Sequence, residues 1–237
     1  MSGRLLVGTS GFAYADWAPL FYPAGTRPRD LLARYAERLP AVELNNTFYR
    51  QPRPAAIEGW LAATPVDFRF VVKAQRGAGT RALGESAAAS VAWLTEPYRR
   101  FGERLGSVLF RVPDNVQRED ARLARFLEAW PSDLPLAVEM QHPSWQADEV
   151  HALLRDHAAA LCATDLDGAD EPDLRLTGGF CYLRLRRMAY ADADLARWAS
   201  RLGAFLDAGA DCFVVLRHDA DGTSALRAQA LAALLAR

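Results

Sequence analysis

Val42-Glu43-Leu44-Asn45-Asn46-Thr47-Phe48-Tyr49 starts as an apolar alternation and ends in two amides, a hydroxyl and a phenol. The alternation of Val42, Glu43 and Leu44 has the period of a strand, whose successive side chains face opposite sides. A glutamate inside such a strand costs burial energy unless it is paired. The stretch therefore reads as a strand whose end faces a polar pocket.

The same unit recurs along the chain. Residues 136–140 form a second apolar strand that carries Glu139 and runs into Gln141 and His142, and residues 68–72 form another that delivers Lys73 at its end. Further apolar runs at 4–7, 107–112, 159–163, 180–185 and 211–216 complete a set of eight. Between them, apolar residues recur at helical spacing over 29–38, 55–63, 118–130, 148–157, 192–208 and 224–237, and over 87–105 with Pro97 interrupting. Gln75-Arg76-Gly77-Ala78-Gly79-Thr80 reads as a flexible segment and 165–179 as a loop. Residues 12–28 hold Tyr14, Trp17, Phe21 and Tyr22, too apolar for a solvated connection, and are expected to fold over one end of the domain.

Eight strands, nearly every one followed by a helix, in 237 residues is the arithmetic of an α/β protein with a parallel eight-stranded (β/α)8 TIM barrel and outer helices. One domain over 1–237 is expected. The competing doubly wound sheet needs a glycine fingerprint after its first strand, and Gly8-Thr9-Ser10-Gly11 does not match it.

Composition narrows the function classes. With 51% hydrophobic and 24% charged residues the chain can bury a full core. A net charge of −1 gives no global basic field, so nucleic acid is not the favoured partner although a local basic patch remains open. Cys162, Cys181 and Cys212 lack the spacing of a zinc site or a disulfide framework and read as small strand residues in a reducing compartment. Leu5, Leu6 and Val7 are too short a run for a secretion signal, and no apolar run approaches a membrane span, so a cytoplasmic protein without membrane partners is expected. Nothing in the sequence sets an oligomeric state.

One bias singles out a residue. Lysine and arginine total 28, and Lys73 is the only lysine, which leaves 27 arginines. A compact ammonium can be tuned in pKa or act as a nucleophile, which a guanidinium cannot.

In TIM barrels, working residues sit at the carboxyl ends of strands. That rule makes Glu43, Lys73 and Glu139 the catalytic candidates, the two carboxylates as acid or base and the lysine as anion receptor or nucleophile. Thr9, Ser10, Asn45, Asn46, Tyr49, Arg111, His142, Trp145, Asp165, Arg184, Arg186 and Arg217 are the substrate-binding candidates. Arg184, Arg186 and Arg217 belong to the last two strands, the usual phosphate corner of this fold, and guanidinium forks bind phosphate or carboxylate bidentately. The partner expected is a small anionic molecule, phosphorylated substrates included. No cofactor is expected. A divalent metal held by Glu139, His142, Asp165 and His218 is the basis of one alternative, a metal-dependent nucleic-acid-binding or phosphodiester-cleaving barrel. A non-catalytic ligand-binding barrel is the other. The bland alternative for Glu43 and Glu139 is an internal ion pair that braces the barrel.

Val7-Gly8-Thr9-Ser10-Gly11, Phe21-Tyr22-Pro23, the stretch 42–49, Phe70 to Lys73, and Ala137-Val138-Glu139 with His142-Pro143-Ser144-Trp145 together resemble the YecE-like family, domain of unknown function 72. The resemblance implies a TIM barrel and no established activity. The chain departs from that pattern at Phe12, where the family has Trp, and around 75–80, which lacks a proline and a later histidine. It departs also at Gln141 for Arg, Arg186-Arg187 for His-Gly, and Arg217-His218 for paired asparagines.

Overall fold

The eight apolar runs pair edge to edge, all in parallel and in chain order, and the first returns to the last to close a barrel. In the computed structural model, which describes residues 2–236, the strands are β1 Leu5–Ser10, β2 Ala41–Leu44, β3 Arg69–Lys73, β4 Leu105–Val112, β5 Leu136–Met140, β6 Ala160–Asp165, β7 Phe180–Leu185 and β8 Asp211–Leu216. The helices are α1 Leu31–Ala36, α2 Pro54–Ala62, α3 Arg76–Ala82, α4 Ala87–Thr95, α5 Asp120–Ala129, α6 Asp148–Asp156, α7 Asp192–Asp207 and α8 Thr223–Leu235. The expected (β/α)8 TIM barrel is the observed fold. Among the described residues no helix is long and apolar enough to cross a membrane.

Alternation sorts each strand into two faces. Leu6, Val71, Leu109, Ala160, Phe180, Tyr182 and Phe213 fill the barrel interior. The opposite parity, including Val7, Val42, Val72, Val138 and Val214, packs under the helices in a separate, larger core. The interior layer is tight at Gly106, where a Cβ would lie 2.6 Å from the Phe213 ring. Arg4 and Asp211 clamp the amino-terminal side of the β1–β8 seam, with Arg4 Nη2 2.6 Å from Asp211 Oδ2.

Three segments differ from expectation or sharpen it. Residues 75–80 are not a flexible loop: Gln75 Oε1 accepts the Ala78 amide at 2.8 Å and caps α3, whose Ala78, Gly79 and Ala82 are buried. The glycines that suggested mobility let this helix lie against the Phe110 ring, 3.5 Å from where a Gly79 Cβ would stand. The helix expected over 87–105 ends at Thr95, and 3-10 turns over Glu96–Arg104 follow, broken at Gly102 where φ is +55°. The closing helix ends at Leu235; Arg237, to which it was expected to run, lies outside the described residues.

Residues 166–179 cross from β6 to β7 without a helix. This segment is tied down at three points. Glu171 pairs with Arg197 and Arg201 of α7, Arg175 pairs with Asp148 at the start of α6, and the Thr177 hydroxyl accepts the Leu161 amide and donates to the Ala159 carbonyl. The aromatic connection 12–28 seals the other side of the mouth, where β1 meets β8. Trp17 is buried and its indole donates to the Asp219 carbonyl at 3.0 Å, while Tyr14 stacks on His218 at 5.1 Å.

Candidate functional site

Where the inward parity reaches the carboxyl end of the barrel, apolar filling gives way to charge. Arg184 of β7 forks between two carboxylates, Nη2 donating to Glu43 Oε1 and Nη1 to Glu139 Oε1, each at 2.7 Å. All three residues are buried. Tyr182 donates its hydroxyl to Glu43 Oε2 at 3.0 Å, Ser10 donates to Glu43 Oε1 at 3.2 Å, and Thr164 donates to Glu139 Oε1 at 3.0 Å. Asn45 donates in turn to the Ser10 hydroxyl at 2.6 Å. Burial alone would raise the Glu139 carboxyl, but the Arg184 charge and hydrogen bond, with Arg111 beyond, hold it below the ordinary glutamate value. Two carboxylates sharing one guanidinium form a charged girder across the barrel.

Around that girder the remaining charge is positive. The Lys73 side chain at the end of β3 is buried as a whole, and its ammonium lies 4.5 Å from the Phe48 ring centroid and makes no ion pair or hydrogen bond with another described residue. Burial lowers its pKa; Glu43 and Glu139 pull it up, Arg184 and Arg111 push it down, and the net shift is downward. Arg111 of β4 reaches Glu139 only at 3.4 Å through Nε. Arg186 meets the Ser10 hydroxyl at 3.4 Å, and burial together with the Arg184 charge disfavours its cation. The mouth thus holds more cations, Lys73, Arg111, Arg184 and Arg186, than its two carboxylates, Glu43 and Glu139, neutralise.

The structure gathers Ser10, Glu43, Asn45, Lys73, Arg111, Glu139, Arg184 and Arg186 at this one place. Other sequence candidates lie elsewhere. Thr9 and Asp165 are one residue out of phase with the inward parity and point into the helix layer. Thr9 bonds the Tyr35 hydroxyl at 2.9 Å; Asp165 accepts from Arg187 Nε at 2.9 Å, the Tyr190 hydroxyl at 3.0 Å and the Trp198 indole at 3.3 Å. Trp145 is core, its indole donating to the Val116 carbonyl at 2.8 Å, and His142 caps the short 3-10 turn that carries it. Asn46 and Tyr49 are exposed at the rim, and Arg217 contacts Met188 and the His218 carbonyl. The metal set drawn from Glu139, His142, Asp165 and His218 does not converge. Glu139 faces the interior, Asp165 the helices, His142 its own turn and His218 the Tyr14 ring, and among the described residues no group of three His, Cys, Asp or Glu side chains could hold an ion.

Sequence reasoning passed over Tyr182 and Thr164 as site residues, although Tyr182 shares parity with Arg184, two residues on, and Thr164 with Cys162, two residues before it. It also passed over a cavity of about 510 Å³ beside the girder, between α3 and the ends of β3, β4 and β5, with Phe48 and Arg111 on its inner edge.

Comparison with known proteins places this architecture. The UPF0759 protein YunF of Bacillus subtilis is 27% identical over 149 residues, 60% of this chain and 52% of that protein. The UPF0759 protein YecE of Escherichia coli K12 is 28% identical over 117 residues, 49% of this chain and 43% of that protein. The chain thus aligns to about half the length of these curated relatives. A crystal structure of a DUF72 family protein from Thermotoga maritima superposes with a TM-score of 0.79 at 24% identity, covering 98% of this chain and 99% of that one. One from Enterococcus faecalis gives 0.80 at 18% identity, covering 98% and 95%. These likenesses bear on the fold. A sequence model described as "Protein of unknown function DUF72" matches residues 6–237, and the chain belongs to that family.

Proposed function

We propose that this barrel is an enzyme acting on a small anionic substrate, phosphorylated substrates fitting best, bound at the carboxyl ends of the strands. The carrying observation is Lys73: a buried side chain whose ammonium is unpaired, within a mouth whose carboxylates both pair with Arg184. An anion beside Lys73 supplies the missing counter-charge, and Arg111 and Arg186 offer forks for a second and third oxygen.

The girder reassigns the chemistry within the three catalytic candidates. Glu43 and Glu139 are fixed as acceptors and keep Arg184 in place, so the mobile proton falls to Lys73. An amine whose pKa is lowered by burial takes and returns a proton near neutrality more readily than an ordinary lysine, and a bound anion raises it again. Proton transfer at a carbon or oxygen next to the anionic group is the reaction class this supports.

The test uses the uniqueness of the residue. Reductive methylation with ¹³C-formaldehyde labels Lys73 as the sole side-chain amine in the chain. Its resonance is expected to titrate below the ordinary lysine value of about 10.4 and to shift saturably with inorganic phosphate. A resonance that titrates as a free lysine and ignores phosphate sinks the reading.

A further inference from the structure

The cavity beside the girder has the make-up of a binding subsite and no assigned occupant. Its volume of about 510 Å³ lies within the range of small-molecule sites, roughly 300–1,000 Å³. Phe48, Phe110, Pro113 and Val116 give it apolar walls, and among its polar lining residues Arg76, Asp114, Asn115 and Gln141 have side chains that make no hydrogen bond or ion pair to other described residues. An apolar face opposed by amides, a carboxylate and a guanidinium offers both donors and acceptors, which suits a ligand carrying several hydroxyls.

Two residues join this cavity to the anion-binding mouth. Phe48 lines the cavity and carries the Lys73 ammonium over its ring. Arg111 lines the cavity and stands 3.4 Å from Glu139 Oε2. That carboxylate oxygen is buried and accepts no hydrogen bond from any described residue, nor does Arg111 Nε donate one. A buried carboxylate oxygen without a donor is costly, and a ligand hydroxyl passing the Arg111 side chain would satisfy it.

We infer that the cavity between α3 and the ends of β3–β5 is a second subsite, which takes the hydroxylated body of a substrate whose anionic group sits at Lys73. The ligand class is a polyol or sugar phosphate. This rests on the anionic-substrate reading above and adds to it: a bare anion fills only half the site.

Isothermal titration of the full chain with inorganic phosphate, ribose 5-phosphate and glucose 6-phosphate reads both halves. At least one sugar phosphate is expected to bind about tenfold tighter than inorganic phosphate, the margin of one or two additional net hydrogen bonds. Asn115→Ala combined with Gln141→Ala, both at exposed positions, is expected to erase that margin and leave phosphate affinity unchanged. Equal affinities in the parent chain, or a margin that survives the double substitution, overturns the subsite while the anion site stands. Failure of all three probes to bind also overturns it, and the Lys73 resonance then judges the anion site separately. Lys73→Met is expected to weaken all three, and unchanged affinities there count against the anionic-substrate reading rather than the cavity.

Discussion

Arg184 draws charge from strands far apart in the chain, and its removal would strand two carboxylates in the interior. Breaking a buried ion pair from one side costs about 3–5 kcal/mol, because the remaining charge keeps its desolvation penalty. Arg184→Met is therefore expected to lose about that much stability at pH 7, read by urea denaturation. The pH dependence has a definite sign. In the parent chain the Glu139 carboxyl lies below its ordinary value, so its contribution is present above the unfolded value of about 4.3 and fades as pH falls through the lower folded value. Without Arg184, burial dominates and raises that carboxyl, so acidification protonates it in the folded state and relieves the penalty. The deficit of Arg184→Met should shrink between pH 7 and pH 5; an equal deficit at both would mean the carboxylates are not its source. Replacing Glu43 and Glu139 by Gln in the same variant should recover much of the loss. At this scale the sequence was informative where parity was respected. Glu43, Lys73, Glu139 and Arg184 sit on inward positions, whereas Thr9 and Asp165 are equally polar and equally near strand ends but one residue out of phase, and a one-residue step reverses the face.

Among the elements, α3 is the one whose reading changed most. Strands such as β5, β7 and β8 could be bounded from sequence because both their faces are buried and all but one residue of each is apolar. Gly77 and Gly79 hide α3 in the same way that they weaken it, since glycine gives up about 1 kcal/mol of helix propensity relative to alanine. What sustains the helix is the Gln75 cap and packing on Phe110. Gln75→Ala removes an N-terminal cap worth about 0.5–2 kcal/mol, so amide exchange over α3 should quicken by about tenfold while β3 and β4 stay protected. Uniform acceleration across the barrel would place the cap's contribution in global stability instead. Because α3 walls the cavity, the same substitution offers a way to loosen that wall without touching Lys73.

Over the whole molecule, the barrel and the placing of charge at its mouth were legible from the strands and their ends, and the pairings within the mouth were not. A net charge of −1 conceals a cationic cluster because the acidic residues are spread elsewhere, and only closure of the barrel brings Glu43 and Arg184, 141 residues apart, into contact. The cavity was likewise invisible, being made by spacing between elements rather than by any motif. One departure from eightfold regularity has its own consequence. Between β6 and β7 the outer wall is a strap of extended chain, and the ion pairs of Glu171 and Arg175 that hold it are partly exposed. Exposed pairs are worth about 0–1 kcal/mol each and weaken with salt, over a screening length of about 3 Å at 1 M. Raising the salt should therefore open this strap before any strand yields, and limited proteolysis at high ionic strength should first nick the chain within 166–176. The two fragments would remain associated through the intact barrel, so the molecule would carry a cleavable seam in a wall that is elsewhere helical.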